Sequence, residues 1–377
     1  MAPKRLAYAD MVKGIAILFV VLYHLLAPCL VKTVVIHLAE SMMIAFFIFS
    51  GYFYRPGRRT LGENIKTRLK ATMLPFVKYS TVFWIIGSIY LLVTHQETIL
   101  DALCCLRNFY AGCIWNRVIQ GWFNWDYHSL GSRYMFLADF WFLIALFLSN
   151  LLFFPIADAT LSSRKKAIGA AALLFATTGI LRAFAVSLPY NIQLVPFWTA
   201  FMLLGALAGK EGLFDLPSMS GTRGWCYALL ALAAGVTVAM LKTPVPNLFR
   251  GSFEGNEVVS MLLCIIATLL MVWGLGNVCR LAEQAEWRIK ELSWLGAHSL
   301  PIYVFHMFNA WAICTITGFS LKYEASVSGG VLVKSVLLSA ACLELSLLSH
   351  VVGEKIASDR RKPEGRDDGH EHRGSPR

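Results

Sequence analysis

The sequence predicts an all-α fold: a polytopic integral membrane protein of about ten transmembrane helices in a single helical bundle. Composition is the first observation. The chain is 57% hydrophobic and only 15% charged, where soluble chains carry about a quarter charged residues. The second is distribution, since the charges collect in short gaps between long apolar stretches. The third is length. The stretches hold about 20 residues each, enough for a helix to cross the hydrocarbon core. Residues 1–352 read as one membrane domain, and residues 353–377, polar and without apolar periodicity, as a disordered cytosolic tail.

The spans fall at 11–31, 34–54, 73–93, 137–156, 166–187, 191–209, 224–241, 257–278, 295–317 and 331–352. Helices follow because only they, or closed barrels, satisfy backbone polar groups inside lipid. Lys4 and Arg5 precede the first stretch, as in a signal peptide. Its length and its Tyr23-His24 pair fit a retained helix instead.

Orientation comes from lysine and arginine. The N-terminal segment, the even-numbered links and the tail hold 24 of the 34, and the opposite side holds nine, with Lys78 unassigned. The positive-inside rule makes the richer side cytosolic, with both termini there, in a plasma (inner) membrane. The net charge of +11 thus reflects topology, and nucleic acid is not expected as a partner. A homo-oligomer is left open.

Two links stand out. Arg55, Arg58, Arg59, Lys66, Arg68 and Lys70 share the second link with Leu61, Ile65, Leu69 and Met73, whose spacing of four suggests an interfacial helix. Residues 94–136 form a long aromatic outer loop that includes Trp122 and Trp125. Aromatic faces suit sugar rings, and they also line ordinary membrane interfaces. Nine cysteines show no metal-ligand spacing. Cys104, Cys105 and Cys113 share the outer loop, where a disulfide is one option.

Ionisable residues inside spans are costly and default to functional candidates. With a helix starting near Lys13, His24 lies ~16 Å along it, near mid-bilayer. At 100° per residue, Lys13 and Asp10 are offset from His24 by about 20° and 40°, so the three share a face. His306 has a similar expected depth, and Ser299, seven residues earlier, shares its face. Asp139, Glu344 and Arg182 complete the set; any of them could equally be a structural ion pair. No P-loop, G-x-S-x-G, HExxH or Rossmann glycine motif is present, and no metal is expected.

These residues fit a known pattern. Tyr8 to His24, with ten residues between Lys13 and His24, resembles the opening of membrane acyltransferase family three. Phe46-Phe-Ile-Phe-Ser-Gly-Tyr52 is similar to its second-helix signature, and Arg68 to Pro75 to its entry into the third helix. Trp141-Phe-Leu143 and Ser299-Leu-Pro-Ile-Tyr-Val-Phe-His306 resemble later motifs. The lysine variant and Leu188-Pro-Tyr-Asn-Ile-Gln193 lean toward the fucose 4-O-acetylase-like branch.

The resemblance implies acyl-CoA-dependent transfer to a hydroxyl of a cell-surface glycan or its lipid-linked precursor, with His24 catalytic. On that basis His24, His306 and Asp10 are candidate catalytic residues. Lys13, Arg58, Arg59 and Arg68 are candidates for the phosphates of acetyl-CoA, a co-substrate rather than a resident cofactor. Ser299, Asp139, Glu344, Trp122 and Trp125 are candidate substrate or support residues. A secondary transporter for a sugar or lipid-linked substrate is the competing expectation, weakened by the lack of a clear internal repeat.

Overall fold

The computed structural model describes residues 6–26, 30–111, 133–214, 220–241, 253, 255–287, 290–317 and 329–359. Among these, no strand occurs. The helices are α1 (Ala7–Leu25), α2 (Leu30–Tyr52), α3 (Leu61–Arg68), α4 (Leu74–Val93), α5 (Ile99–Tyr110), α6 (Met135–Ala138), α7 (Trp141–Thr160), α8 (Arg164–Ala183), α9 (Val195–Glu211), α10 (Gly221–Leu241), α11 (Glu257–Gln284), α12 (Lys290–Ala297), α13 (Ser299–Thr317) and α14 (Gly329–Asp359).

Nine stretches of the described residues are long and apolar enough to cross a membrane. The 31-residue α14 is a tenth helix of sufficient length, ~46 Å at 1.5 Å per residue. The polytopic α-helical architecture is therefore as the sequence predicts. Several boundaries differ. Helix α1 starts at Ala7, not 11, because Glu283 of α11 accepts the backbone N–H of Tyr8 at 3.0 Å and so satisfies one of the orphan donors of a helix start. It ends at Leu25, with Leu26 extended, two residues before Pro28, which cannot continue a helix. Helix α14 runs to Asp359, seven residues past the expected end of the membrane domain. Residues 360–377 of the expected tail lie outside the described residues.

The basic link is not a separate interfacial helix. Thr60 and Glu63 form a reciprocal capping box that starts α3. A π-helical turn at Leu69–Met73 then carries the chain into α4, giving one 33-residue helical stretch. Pro75 accounts for the turn: its ring cannot fit against the carbonyl four residues back in a regular helix, and a wider turn makes room.

Close helix packing organises the centre. A Cβ on Gly51 would overlap the carbonyl oxygen of Met202, and one on Gly205 that of Ile48, so α2 and α9 touch backbone to backbone. Ser50-Gly51-Tyr52 thus serves close approach, as its small residues predict. Tyr52 adds a bond between its hydroxyl and that of Tyr8, at 2.8 Å. The same device joins α1 to α12, where Gly14 meets Leu292 and Gly296 meets Asp10. Helix α13 continues from α12 with a break only at His298, so α12–α13 runs beside α1 in a fixed register.

Two further features lie at the end of the bundle where α8 ends and α11 begins. Arg182 grips Glu257 with two bonds of 2.5 and 2.6 Å, joining α8 to α11, and also donates to the Val186 carbonyl at 2.8 Å. The Pro189–Leu194 turn entering α9 holds Tyr190 and Asn191 in left-handed backbone conformations. Gln193, fully buried, accepts the Leu188 N–H at 3.0 Å and so braces that turn.

Candidate active site

Three elements converge on one carboxylate. Asp139 occupies the bend between α6 and α7, two residues before Trp141, where the positive end of the α7 macrodipole favours a negative charge. Its Oδ1 lies 3.5 Å from His24 Nε2 on α1, and its Oδ2 lies 3.2 Å from His306 Nε2 on α13. The two imidazole rings are 5.4 Å apart between centroids. Helices α6 and α7 thus supply the carboxylate, and the parallel α1 and α13 supply one histidine each.

The histidines are not equivalent. His306 is wholly buried, and its Nδ1 lies 2.8 Å from the Tyr303 carbonyl oxygen. That nitrogen must carry a proton, because the carbonyl can only accept. Nε2 then faces a carboxylate oxygen at 3.2 Å, a repulsive pairing of acceptors unless one proton resides on either atom. The contact is close without straight hydrogen-bond alignment. His24 differs in that about a quarter of its side chain is exposed. A proton on Nε2 would face Asp139 and leave Nδ1 as a basic lone pair.

An aromatic collar flanks this group. Tyr23 stands edge-on to His24 with centroids 4.7 Å apart. Tyr303 packs on His306 at 5.9 Å and on Phe142 at 5.1 Å. Phe142 contacts Phe46 and Phe47, and Phe47 stacks on Trp198 at 5.6 Å. The sequence motifs around Phe46, Trp141 and Ser299 therefore meet in space as the wall of one site.

The expected depth of His24 needs revising. It sits in the last turn of α1, 17 residues from Ala7, or ~26 Å along the axis. Its expected match in height with His306 holds, because the paired helices keep register. Helix α13 continues eleven residues past His306, to Thr317.

Other candidates lie elsewhere. Asp10 pairs with Lys13 at 2.6 Å, ~21 Å along α1 from His24, too far to share its chemistry. Arg58 and Arg59 are exposed in the turn before α3, and Arg59 reaches Thr67 at 3.4 Å. Arg59 is also close enough to Arg68 to repel it and to Glu63 to be attracted by it. Ser299 opens α13, half-buried, a turn below the site's wall. Glu344 is exposed on α14 and is not brought to the site. Trp122, Trp125 and Cys113 lie outside the described residues, while Cys104 and Cys105 are free thiols.

Asp139, expected as a substrate or support residue, is the one that both histidines meet. Its signal was a carboxylate just ahead of an apolar span, next to the Trp141-Phe-Leu143 motif. The same three side chains offer ligand atoms within 4.8 Å of one another, a spacing that a cation could also use.

A helical membrane bundle with a buried His–Asp–His group open at one histidine defines a membrane-embedded site suited to proton transfer. An acyltransferase domain, acyltransferase family three, matches residues 6–341, and the chain belongs to that family. It is a membrane acyltransferase, which decides against the transporter. No curated protein and no solved structure matches the chain.

Proposed function

We propose that the protein is an O-acetyltransferase that moves acetyl from cytosolic acetyl-CoA to a sugar hydroxyl of a cell-surface glycan or its lipid-linked precursor. The observation that carries this reading is the pairing of His24 with Asp139, which sets a quarter-exposed imidazole beside a buried carboxylate.

His24 Nδ1 takes the proton of the acceptor hydroxyl as its oxygen attacks the thioester carbonyl carbon. The C–O ester bond forms, the C–S bond breaks, and His24 returns the proton to the departing thiolate. Asp139 holds the tautomer and stabilises the transient imidazolium. His306, buried and bonded to Tyr303, is a positioning residue that fixes Asp139. Low dielectric around the collar strengthens each of these interactions.

The donor side is the end of the bundle bearing Lys13 and the Arg55–Lys70 link, read as cytosolic from its excess of basic residues. Lys13 lies ~16 Å along α1 from His24. Arg58, Arg59 and Arg68 offer charge and planar forks for phosphate oxygens. The plasma (inner) membrane is the expected location, with lipid surrounding α4, whose Leu74, Ile89 and Val93 point outward.

The test is transfer from labelled acetyl-CoA to glycan in membranes, normalised to folded protein. His24→Gln is expected to lose about 10²-fold or more in turnover with thermal unfolding in detergent unchanged. Wild-type turnover in a folded His24→Gln protein overturns the mechanism. Absence of any CoA-dependent transfer by the wild-type chain overturns the donor.

A further inference from the structure

A recess lies at the foot of α1, between that helix and α12. It is lined by Ala7, Asp10, Ser293, Trp294 and Ala297, and its volume is about 280 Å³. Trp294 is 45% exposed, two residues before the buried Gly296 contact with α1. Its own element fixes it: Trp294 packs against His298 with centroids 4.5 Å apart, and His298 Nδ1 lies 2.8 Å from the Trp294 carbonyl. Ser293, beside it, donates to the Ala7 carbonyl at 3.3 Å, holding the two walls together.

The recess and the histidine site stand in a fixed relation. Asp10 lines the recess, and fourteen residues on a helix bring the chain back to within about 40° of the starting face. Of the recess lining on α1, Asp10 therefore shares the His24 face, and Ala7 lies about 100° round the helix. Lys13, paired with Asp10 at 2.6 Å, stands between the recess and His24.

Distance supplies the second argument, and it rests on the acyl-CoA donor proposed above. The pantetheine arm from its phosphate oxygen to sulfur is about twelve bonds. At the extended-chain rate of three bonds per 3.3–3.6 Å it reaches ~14 Å. Lys13 is ~16 Å from His24 along α1, and Trp294 is ~18 Å from His306 along α12–α13. A thioester at His24 would thus leave its phosphate near Lys13 and its adenosine at the recess.

We infer that Trp294 is the stacking platform for the adenine of the acyl-CoA donor. A flat, half-exposed indole in a recess whose Asp10 holds Lys13 at 2.6 Å fits a purine carrying phosphates, since aromatic rings stack on bases and a cation meets the phosphate. The walls of Ala7 and Ala297 leave room for a ring without adding polar competition.

The experiment compares two donors on the full-length protein in membranes: acetyl-CoA, and S-acetyl-4′-phosphopantetheine, which lacks the nucleotide. Trp294→Leu is expected to raise the KM for acetyl-CoA about tenfold, with kcat within about twofold, and to leave the KM for acetyl-phosphopantetheine unchanged. Trp294→Phe should restore most of the loss, because a smaller aromatic ring still stacks. Thermal unfolding of each variant checks the fold, and Trp294→Phe carries the comparison if Trp294→Leu fails to assemble. An equal KM shift with both donors, or none with either, overturns the inference and leaves Trp294 as an interfacial anchor. A wild-type chain that uses neither donor overturns the acyl-CoA reading itself, and this inference with it.

Discussion

Gly14 of α1 and Gly296 of α12 meet backbone to backbone, each ten residues before a histidine of the site. The contact leaves no space for a Cβ on either side. Two parallel helices locked at this point carry His24 and His306 to the same height, where Asp139 bridges them. The active-site geometry is thus set ~15 Å away, at a contact between two residues without side chains.

Substitution of Gly14 by alanine should therefore act at a distance. The new methyl group overlaps the Leu292 carbonyl oxygen, a backbone atom that cannot rotate away. Overpacking of this kind costs about 1–3 kcal/mol. A lowered melting temperature in detergent is expected, with a loss of transfer activity larger than the loss of folded protein. Unchanged values for both would mean that the register is fixed elsewhere.

Asp139→Asn separates charge from shape. The amide keeps the volume but cannot hold both imidazoles as a carboxylate does, so the His24 tautomer and imidazolium both lose support. Turnover should fall about 10²-fold or more, with donor KM little changed. Asp139→Glu should recover only part of it, because one extra methylene misplaces both oxygens. Near-normal turnover in Asp139→Asn would reduce the residue to a packing role.

The basic turn before α3 makes a salt-dependent prediction. If Arg58 and Arg59 attract the donor phosphates, wild-type affinity for acetyl-CoA should weaken as salt rises, since exposed charges are screened beyond ~10 Å at 0.1 M. The Arg58→Ala/Arg59→Ala double variant should bind more weakly at low salt and show a flatter salt dependence. Identical slopes would leave the cluster as a determinant of topology alone.

Arg182→Lys tests the pair at the other end of the bundle. Lysine keeps the charge but cannot form both bonds to Glu257 and the one to Val186. A loss of about 2 kcal/mol in stability is expected for breaking a partly buried, doubly bonded pair, read as a lower melting temperature with KM for the donor unchanged. An altered KM would instead place Arg182 in substrate binding.

Much of this architecture was legible in the sequence, and the reasons are physical. Lipid forces long apolar helices, so the spans around residues 34–54 and 257–278 could be read directly. The His24–His306 pair was legible because intramembrane ionisable groups are rare. Asp139 was harder, since its partners are 115 and 167 residues away in the chain and only packing brings them together. Asp10 showed the converse. It shares a face with His24, but a helix face says nothing of axial distance, and the helix turned out to begin four residues earlier than periodicity suggested. The π turn before Pro75 was also hidden, because a proline near a helix start reads as a boundary rather than a continuation.

Phe142 and Tyr303, packed at 5.1 Å beside the buried His306, flank the place where the proposed exchange of proton and acyl group would occur. An acceptor hydroxyl surrenders a proton as it gains an acyl group, and the thiolate does the reverse. In the proposed transfer, donor and acceptor would therefore keep their charges on their own sides, and no current is expected to accompany turnover. With such a balance, the proposed reaction could run in a bilayer that stores an ion gradient without discharging it. Transfer in sealed vesicles should accordingly proceed at the same rate with and without an imposed potential. A rate that followed the potential would reveal a charge crossing the collar with each acyl group.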